Sequence, residues 1–403
     1  MESKDQHATP ALKDVALQFF LAIILGLIAS IVANAFVEGA RWFEGYQAAD
    51  GMFSTTIAGM QVSFKIFVTM GCAAILIILV RKVLGITVWS GPAESIYAVQ
   101  QSKEPLDIRV GVGSTIAAFI SASGGASVGQ YGPLVHFGAT ISQILLKLTK
   151  LNIDKNVFLA CGVAAAISAG FNAPIAGVLF AHEALLRRLS VGAIAPIAIS
   201  SIVAYAANQY LFTIELAFVV PDMPIPLGPL IPFLLIAAPL CSLAAIAYMS
   251  ALRKGKKMAV ASGWSFAQLS AMCVIVAGCI GMIFPDVLGL GSLQINQMIN
   301  NEFTPGYLVA LLIAKIVITA LCVNAEFFGG VFGPALFVGA AIGGIVAYSA
   351  SLFGLSPEMT TAIGVASMAA VSAAVIGAPL TVIMIVIELT GSYSYGLASM
   401  LCV

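Results

Sequence analysis

The chain has 403 residues, 60% of them hydrophobic and 9% charged, with a formal net charge of zero at neutral pH. A soluble globular domain carries about 25% charged residues, so this composition excludes a soluble protein and points to an integral membrane protein with many spans. A balanced charge also argues against nucleic acid as a partner. The apolar windows have helical length, not the roughly ten-residue alternation of barrel strands, so an all-α membrane protein is expected. Seven cysteines stand singly, mostly in apolar runs and without metal-ligand spacing, and read as small buried hydrophobes.

Residues 1–14, MESKDQHATPALKD, are polar and read as a cytoplasmic amino-terminal tail. Val15–Val37 has membrane-helix length and lacks a small-residue cleavage site, so it reads as a first span and not a signal peptide. A polar stretch, EGARWFEGYQAAD, follows, with Trp42 and Tyr46 as interface aromatics. Val62–Val80 returns across the membrane and ends at Arg81-Lys82. A second basic cluster, Arg253, Lys254, Lys256 and Lys257, follows an apolar run beginning near Ile225. Positive charge collects on the cytoplasmic side, which places both clusters inside and residues 38–61 outside. No soluble domain is visible at either end. Residues 15–403 are expected to form one transmembrane domain, with repeat halves at about 80–220 and 225–403.

The middle of the chain does not divide into uniform spans. Gly111–Ala122, Val157–Ala169 and Pro174–Leu185 are short and punctuated by Gly, Asn and Pro, as are Gly329–Tyr348 and Thr360–Glu388. Broken helices at membrane depth are tolerated where they are buried or line a watery cavity, and paired interruptions in two halves mark ion or substrate sites. One such break, GGASVGQYGPLVHFGA at Gly124–Ala139, recurs as GGVFGPALFVGAAIGG at Gly329–Gly344. Without gaps, Gly129, Tyr131, Gly132, Pro133, Gly138 and Ala139 fall on Gly330, Phe332, Gly333, Pro334, Gly339 and Ala340. GFNAPIAGVLFAHEA (Gly170–Ala184) recurs as VIGAPLTVIMIVIEL (Val375–Leu389), and Glu183 and Glu388 each stand nine positions after a proline. Gly162-Val163-Ala164 likewise resembles Gly364-Val365-Ala366. Signals kept in order and spacing indicate a duplication. The residues leave open whether its halves are parallel or inverted.

A Gly-x-x-Gly-Pro turn opening an apolar helix suits an anion. Glycine turns sharply and leaves its amides uncovered, and proline fits a first helical turn at no loss of a donor. The other first-turn N–H groups lack intrahelical partners and together carry about half a positive charge. Such dipoles bind an anion without the grip of a full cation. The competing reading is close helix packing by small residues. Val88-Trp89-Ser90-Gly91-Pro92-Ala93-Glu94 is a third candidate loop, whose Ser90 hydroxyl either donates to an anion or caps the next helix.

At this point the residues resemble the CLC family of chloride channels and chloride/proton exchangers. SVGQYGP at 127–133, GFNAPIAGVLFAHE at 170–183 and GGVFGPALFVGAAIGG at 329–344 carry the resemblance, and VWSGPAESI at 88–96 supports it more weakly. The similarity spans about residues 15 to 400. It implies inverted repeats of tilted, broken helices and a homodimer with one pore per subunit, of bacterial type without a cytoplasmic regulatory domain. It implies bound chloride ions, no other cofactor, no metal and no enzymatic activity. By motif, Ser90 matches the serine that holds the central anion, and the amides of Val331 and Phe332 match its backbone donors. The amides around Gln130 and Gly132 would serve the outer site.

The sequence departs from the family pattern in three places. The usual loop is Gly-Arg/Lys-Glu-Gly-Pro, and its glutamate is both gate and proton carrier. Here Gln130 and Tyr131 stand at the basic and gating positions. A tyrosine titrates near 10 and stays neutral, so it would line the path with a hydroxyl, obstruct it, or pack as an ordinary core aromatic. The second proton-relay acid of some exchangers falls on Ala184. His182 and Glu183 remain as an alternative relay or a structural pair. The family's last helix carries a pore-lining tyrosine about thirty residues past the phrase matched by Glu388-Leu389-Thr390, whereas this sequence stops at Val403.

Three other polar residues stand out: Glu326 as a structural pair or gate, His136 as a satisfied buried histidine, and Lys315 as an anion attractor or acid partner. Gly289-Leu290-Gly291-Ser292 lacks the strand context of a nucleotide loop. The expected function is therefore passive anion transport in a bacterial cell membrane. The alternatives are a chloride/proton antiporter with a non-standard proton route and a homologue whose pore is closed.

Overall fold

The computed structural model describes residues 12–48, 54–57, 60–101, 105–149, 154–212, 220–221 and 226–403. Most of the amino-terminal tail lies outside these residues. The first helix, α1 (Leu12–Ala48), runs past the expected end of the first span. The polar stretch after Val37 contains no proline, and Arg41 pairs with Glu38 at 3.3 Å one turn away, so the helix continues. Trp42 and Tyr46 are exposed on it, with rings 6.5 Å apart and stacked. A two-stranded antiparallel hairpin, β1 (Ser54–Ile57) and β2 (Met60–Ser63), adds the one piece of sheet among the described residues. The second span starts later than expected, as α2 (Lys65–Leu84), with Arg81 and Lys82 in its last turn and a left-handed Gly85 cap.

The first half continues through α3 (Pro92–Gln101), α4 (Ile108–Ser123), α5 (Tyr131–Thr149) and α6 (Lys155–Phe171). It closes with α7 (Pro174–Phe180), which widens into a π-helical turn over Ala181–Leu186, and α8 (Val191–Leu211). The second half comprises α9 (Ile231–Ser262), α10 (Phe266–Ile283), α11 (Ser292–Ile299), α12 (Pro305–Asn324), α13 (Phe332–Leu352), α14 (Pro357–Ile376), α15 (Pro379–Thr390) and α16 (Tyr393–Cys402). Among the described residues, eight helices are long and apolar enough to cross a membrane. The apolar windows of α13 and α14 are 72% and 78% buried, against 28% for α2 and α10, so the former pair forms the centre and the latter faces lipid.

Local geometry repeats with the sequence. Asn172 and Gly377 occupy aligned positions, and both end a helix in the left-handed region, at φ 55° and 74°. The alanines that follow, Ala173 and Ala378, are matched at φ −130° and −134°. The next helices, α7 and α15, lie antiparallel and cap one another. Glu183 Oε1 accepts from Leu380 N–H at 3.0 Å, and its Oε2 accepts from Thr381 N–H at 2.8 Å and Thr381 Oγ1 at 2.7 Å. In exchange, Glu388 accepts from Ile175 N–H and Ala176 N–H, both at 2.8 Å. Each glutamate thus fills the orphan donors at the start of the other's helix. Equivalent helices that run in opposite directions make the duplication inverted, the question the sequence left open.

Small and polar residues bind the helices where lipid supplies no hydrophobic drive. Asn208 Oδ1 accepts from Ser30 Oγ and Asn34 Nδ2, both at 2.6 Å, and its Nδ2 donates to Ala169 O at 2.8 Å, which joins α8 to α1 and α6. The cysteines are not all solitary: the buried thiols of Cys273 and Cys322 lie 3.8 Å apart between α10 and α12.

Candidate functional site

The two glycine loops meet. Gly129 N–H donates to Gly330 O, and Gly330 N–H donates to Gly129 O, each at 2.6 Å. Only glycine permits this approach. A Cβ on Gly129 would stand 2.9 Å from Gly333 N, and one on Gly330 would stand 2.9 Å from Gly132 N. Helices α5 and α13 begin two residues beyond these glycines, so both amino-terminal ends open on the same buried point. Pro133 and Pro334 lie in the first turns. The amides of Tyr131, Gly132, Phe332 and Gly333 precede the first intrahelical acceptors and concentrate positive potential there. Close packing by small residues also occurs, but further along the helices, where Gly138 faces the backbone of Gly162.

The serine loop completes the junction. Pro92 Cγ is 3.4 Å from the place a Cβ would take on Gly132, and the rings of Trp89 and Phe328 lie 6.2 Å apart. Ser90 N–H donates to Ser114 Oγ at 2.9 Å, and Gly91 N–H donates to Glu94 Oε2 at 2.7 Å. The carboxylate of Glu94 therefore supplies a cap at the start of α3. The half-buried Ser90 hydroxyl has no partner among the described residues.

Tyr131 begins α5 inside a cluster of three rings. It stacks on Phe171 with centroids 3.7 Å apart and meets Phe332 edge-on at 5.7 Å, while Phe171 meets Phe332 at 5.2 Å. A cavity of about 20 Å³ touches Gln130, Tyr131, Ser292 and Gly333, and a void of about 10 Å³ touches Phe171, Phe332 and Leu336. Tyr131 lines the first space, Phe171 and Phe332 line the second, and Leu336 lines both; the first has room for about one water molecule. Gln130 is buried, and its Oε1 has no partner.

The other expected residues spread over the surrounding elements. Glu183 is held by α15 as described. His182 Nδ1 lies 3.1 Å from Arg188 O, while its buried Nε2 is unpartnered. Ala184 is buried in the π-helical turn. His136 Nδ1 lies 2.7 Å from Ser95 Oγ, linking α5 to α3, while its Nε2 meets no hydrogen-bond partner of ordinary geometry among the described residues. Lys315 Nζ donates to Val287 O at 2.9 Å and Gly289 O at 3.2 Å and stands 4.6 Å over the Phe337 ring, which makes it a carbonyl clamp.

Sequence reasoning missed two contributors. Tyr248, fully buried on α9, donates its hydroxyl to Val331 O at 3.0 Å and so pins the second loop. Phe171 supplies the face on which Tyr131 stacks. A tyrosine inside an apolar helix signals a needed hydrogen-bond partner, but nothing local names Val331.

Inverted halves that bring broken-helix starts to one buried point define a membrane protein of the channel and transporter class. A family model described as Voltage gated chloride channel matches residues 72–403, and the chain belongs to this family, the CLC family. It is 27% identical over 316 residues to the chloride channel protein CLC-f of Arabidopsis thaliana, covering 72% of this chain and 40% of the relative. The chain thus spans about two-fifths of that relative's length. Among solved structures it resembles a CLC-type fluoride/proton antiporter with a TM-score of 0.83 at 19% identity, covering 98% of this chain and 95% of the other. A slow cyanobacterial chloride/proton antiporter aligns with a TM-score of 0.81 at 18% identity, covering 96% and 92%. A eukaryotic CLC transporter gives 0.75 at 20% identity, covering 96% and 71%. These likenesses show the fold.

Proposed function

We infer that the chain carries chloride and similar anions passively across a cell membrane, without proton exchange. On the family resemblance the anion is held by the Ser90 hydroxyl and the amides of Val331 and Phe332, with the amides near Gln130 and Gly132 serving the outer position. The carrying observation is the ring cluster. Tyr131, at the family's gating-glutamate position, is an uncharged ring packed against both Phe171 and Phe332. Ala184 offers no second acid, and both oxygens of Glu183 are engaged by α15. Solved relatives bearing antiporter names keep coupled exchange as the rival, but exchange here would need a proton route through other groups. The same rings favour a second reading, a closed pore, because Tyr131 packs against both Phe171 and Phe332 where the two helix starts meet. The family resemblance further supports a bacterial-type homodimer with one path per subunit, with no enzymatic step and no metal.

The test is reconstitution in liposomes under a chloride gradient, with chloride and pH recorded together. Chloride flux without proton movement is the expected result. Protons driven uphill by chloride would overturn the uncoupled reading, and absence of any anion flux would favour the closed pore.

A further inference from the structure

Glu326 stands just before the second glycine loop in a backbone conformation that suits glycine. Its φ is +71°, a region L side chains seldom adopt and glycine occupies freely. A carboxylate held there against backbone preference calls for a partner, and the structure supplies one. Arg81 Nη1 lies 3.7 Å from Glu326 Oε2. The same guanidinium donates from Nε to Ile86 O at 3.0 Å and from Nη2 to Thr87 O, and it stacks 4.6 Å over the Phe266 ring. One side chain therefore grips the strand leading into Ser90 with its carbonyl contacts and the strand leading into Val331 with its ion pair. Two residues past Glu326, the Phe328 ring lies against Trp89 of the serine loop.

We propose that Arg81 and Glu326 are positioning residues that clasp the serine loop to the second glycine loop at the cytoplasmic mouth, and that protonation of Glu326 opens the clasp and raises anion flux. The flux half of this rests on the anion-path reading above. The charged groups facing Glu326 are Arg81 from α2 and Lys256 from α9. Phe266 at the start of α10 and the carbonyls of residues 86 and 87 contribute none. Both basic clusters of the sequence thus converge on one carboxylate, which puts them on one side of the membrane, the inner side by charge. Burial pushes the Glu326 carboxyl above its ordinary range, and Arg81 and Lys256 pull it back in part. On mild acidification it therefore loses its charge before an exposed glutamate does. The ion pair then disappears, and an anion nearing the mouth meets two uncompensated cations in place of a carboxylate.

The experiment uses the full chain in liposomes and nanodiscs. The protein has three tryptophans, so Trp42→Phe and Trp264→Phe leave Trp89 as the sole emitter beside Phe328. Acidification from about pH 7.5 to about pH 5, spanning the range above an ordinary carboxylate, should shift Trp89 emission and raise anion flux about two- to fivefold, the scale of a partly exposed ion pair. Glu326→Gln should show the acid-form emission and the raised flux at every pH. Glu326→Gly, which removes the carboxylate while relieving the backbone, should match it. Arg81→Gln should show the shifted emission at neutral pH. A pH profile of emission that Glu326→Gln leaves intact would overturn the clasp. Emission that follows Glu326 in a protein passing no anion would support the clasp and defeat the anion path. Anion flux whose pH profile survives Glu326→Gln would defeat the role of the clasp in transport and leave the path standing.

Discussion

Replacing Glu183 or Glu388 with alanine distinguishes a cap from a proton relay. Glu183 accepts three hydrogen bonds at the start of α15, and Glu388 accepts two at the start of α7. A hydrogen bond to a charged group contributes about 1.5–3 kcal/mol, and the bonds of one side chain are not additive. A carboxylate at a helix start adds up to about 1 kcal/mol. The expected cost is about 2–4 kcal/mol for Glu183→Ala and about 1–3 kcal/mol for Glu388→Ala. The measurement is thermal unfolding of the purified protein in one detergent, read by loss of the monodisperse species. Glu183→Gln should recover only part of the stability, because its amide hydrogens face donors. A Glu183→Ala protein as stable as the wild type, or less affected than Glu388→Ala, would refute the capping account. A relay would leave stability unchanged and alter only proton movement.

Tyr131→Ala should raise anion flux by about tenfold or more, a barrier change of about 1.4 kcal/mol; unchanged flux in the liposome assay would show that the ring does not obstruct the path. Gly330→Ala should abolish flux and lower thermal stability by about 1–3 kcal/mol through overpacking, since its Cβ would lie 2.9 Å from Gly132 N. Tyr248→Phe removes the single bond to Val331 O and should cost about 1 kcal/mol, together with a weaker apparent chloride affinity in flux titrations.

The site's backbone parts were legible because their causes are local. Gly129 and Gly330 announce a close approach, Pro133 and Pro334 a helix start, and the shared proline-to-glutamate spacing a repeat. The partners were not legible. The spacing of Glu183 and Glu388 says nothing about whose helix each caps, because those bonds join residues about half the chain apart. Arg81 reads as a topogenic charge, and only the fold brings it to Glu326. The first helix was drawn too short because polarity was taken as a boundary, whereas a proline-free stretch with a one-turn ion pair continues the helix.

The inverted halves explain why the gate position differs in kind from an acidic one. Residues aligned between the halves become neighbours where the two loops cross. Tyr131 aligns with Phe332, and the structure sets these rings edge to face at 5.7 Å. A carboxylate at this point would be drawn to the first-turn amides and released by a proton. A tyrosine is held by ring contacts, stacked on Phe171 and edge to face with Phe332. Each aromatic pair contributes about 0.5–1.5 kcal/mol beyond simple burial, so on the proposed gating role two pairs would bias Tyr131 toward closure by about 1–3 kcal/mol. That corresponds to a closed-to-open ratio of roughly 5 to 150. Neither stacking contact changes with protonation near neutral pH, where a phenol stays uncharged. If Tyr131 gates the path as proposed, it would open by thermal unstacking and conduct at a low rate that ignores pH. On the proposed reading, any sensitivity to acid enters at a different point, and the Glu326 carboxylate paired with Arg81 is the proposed place for it.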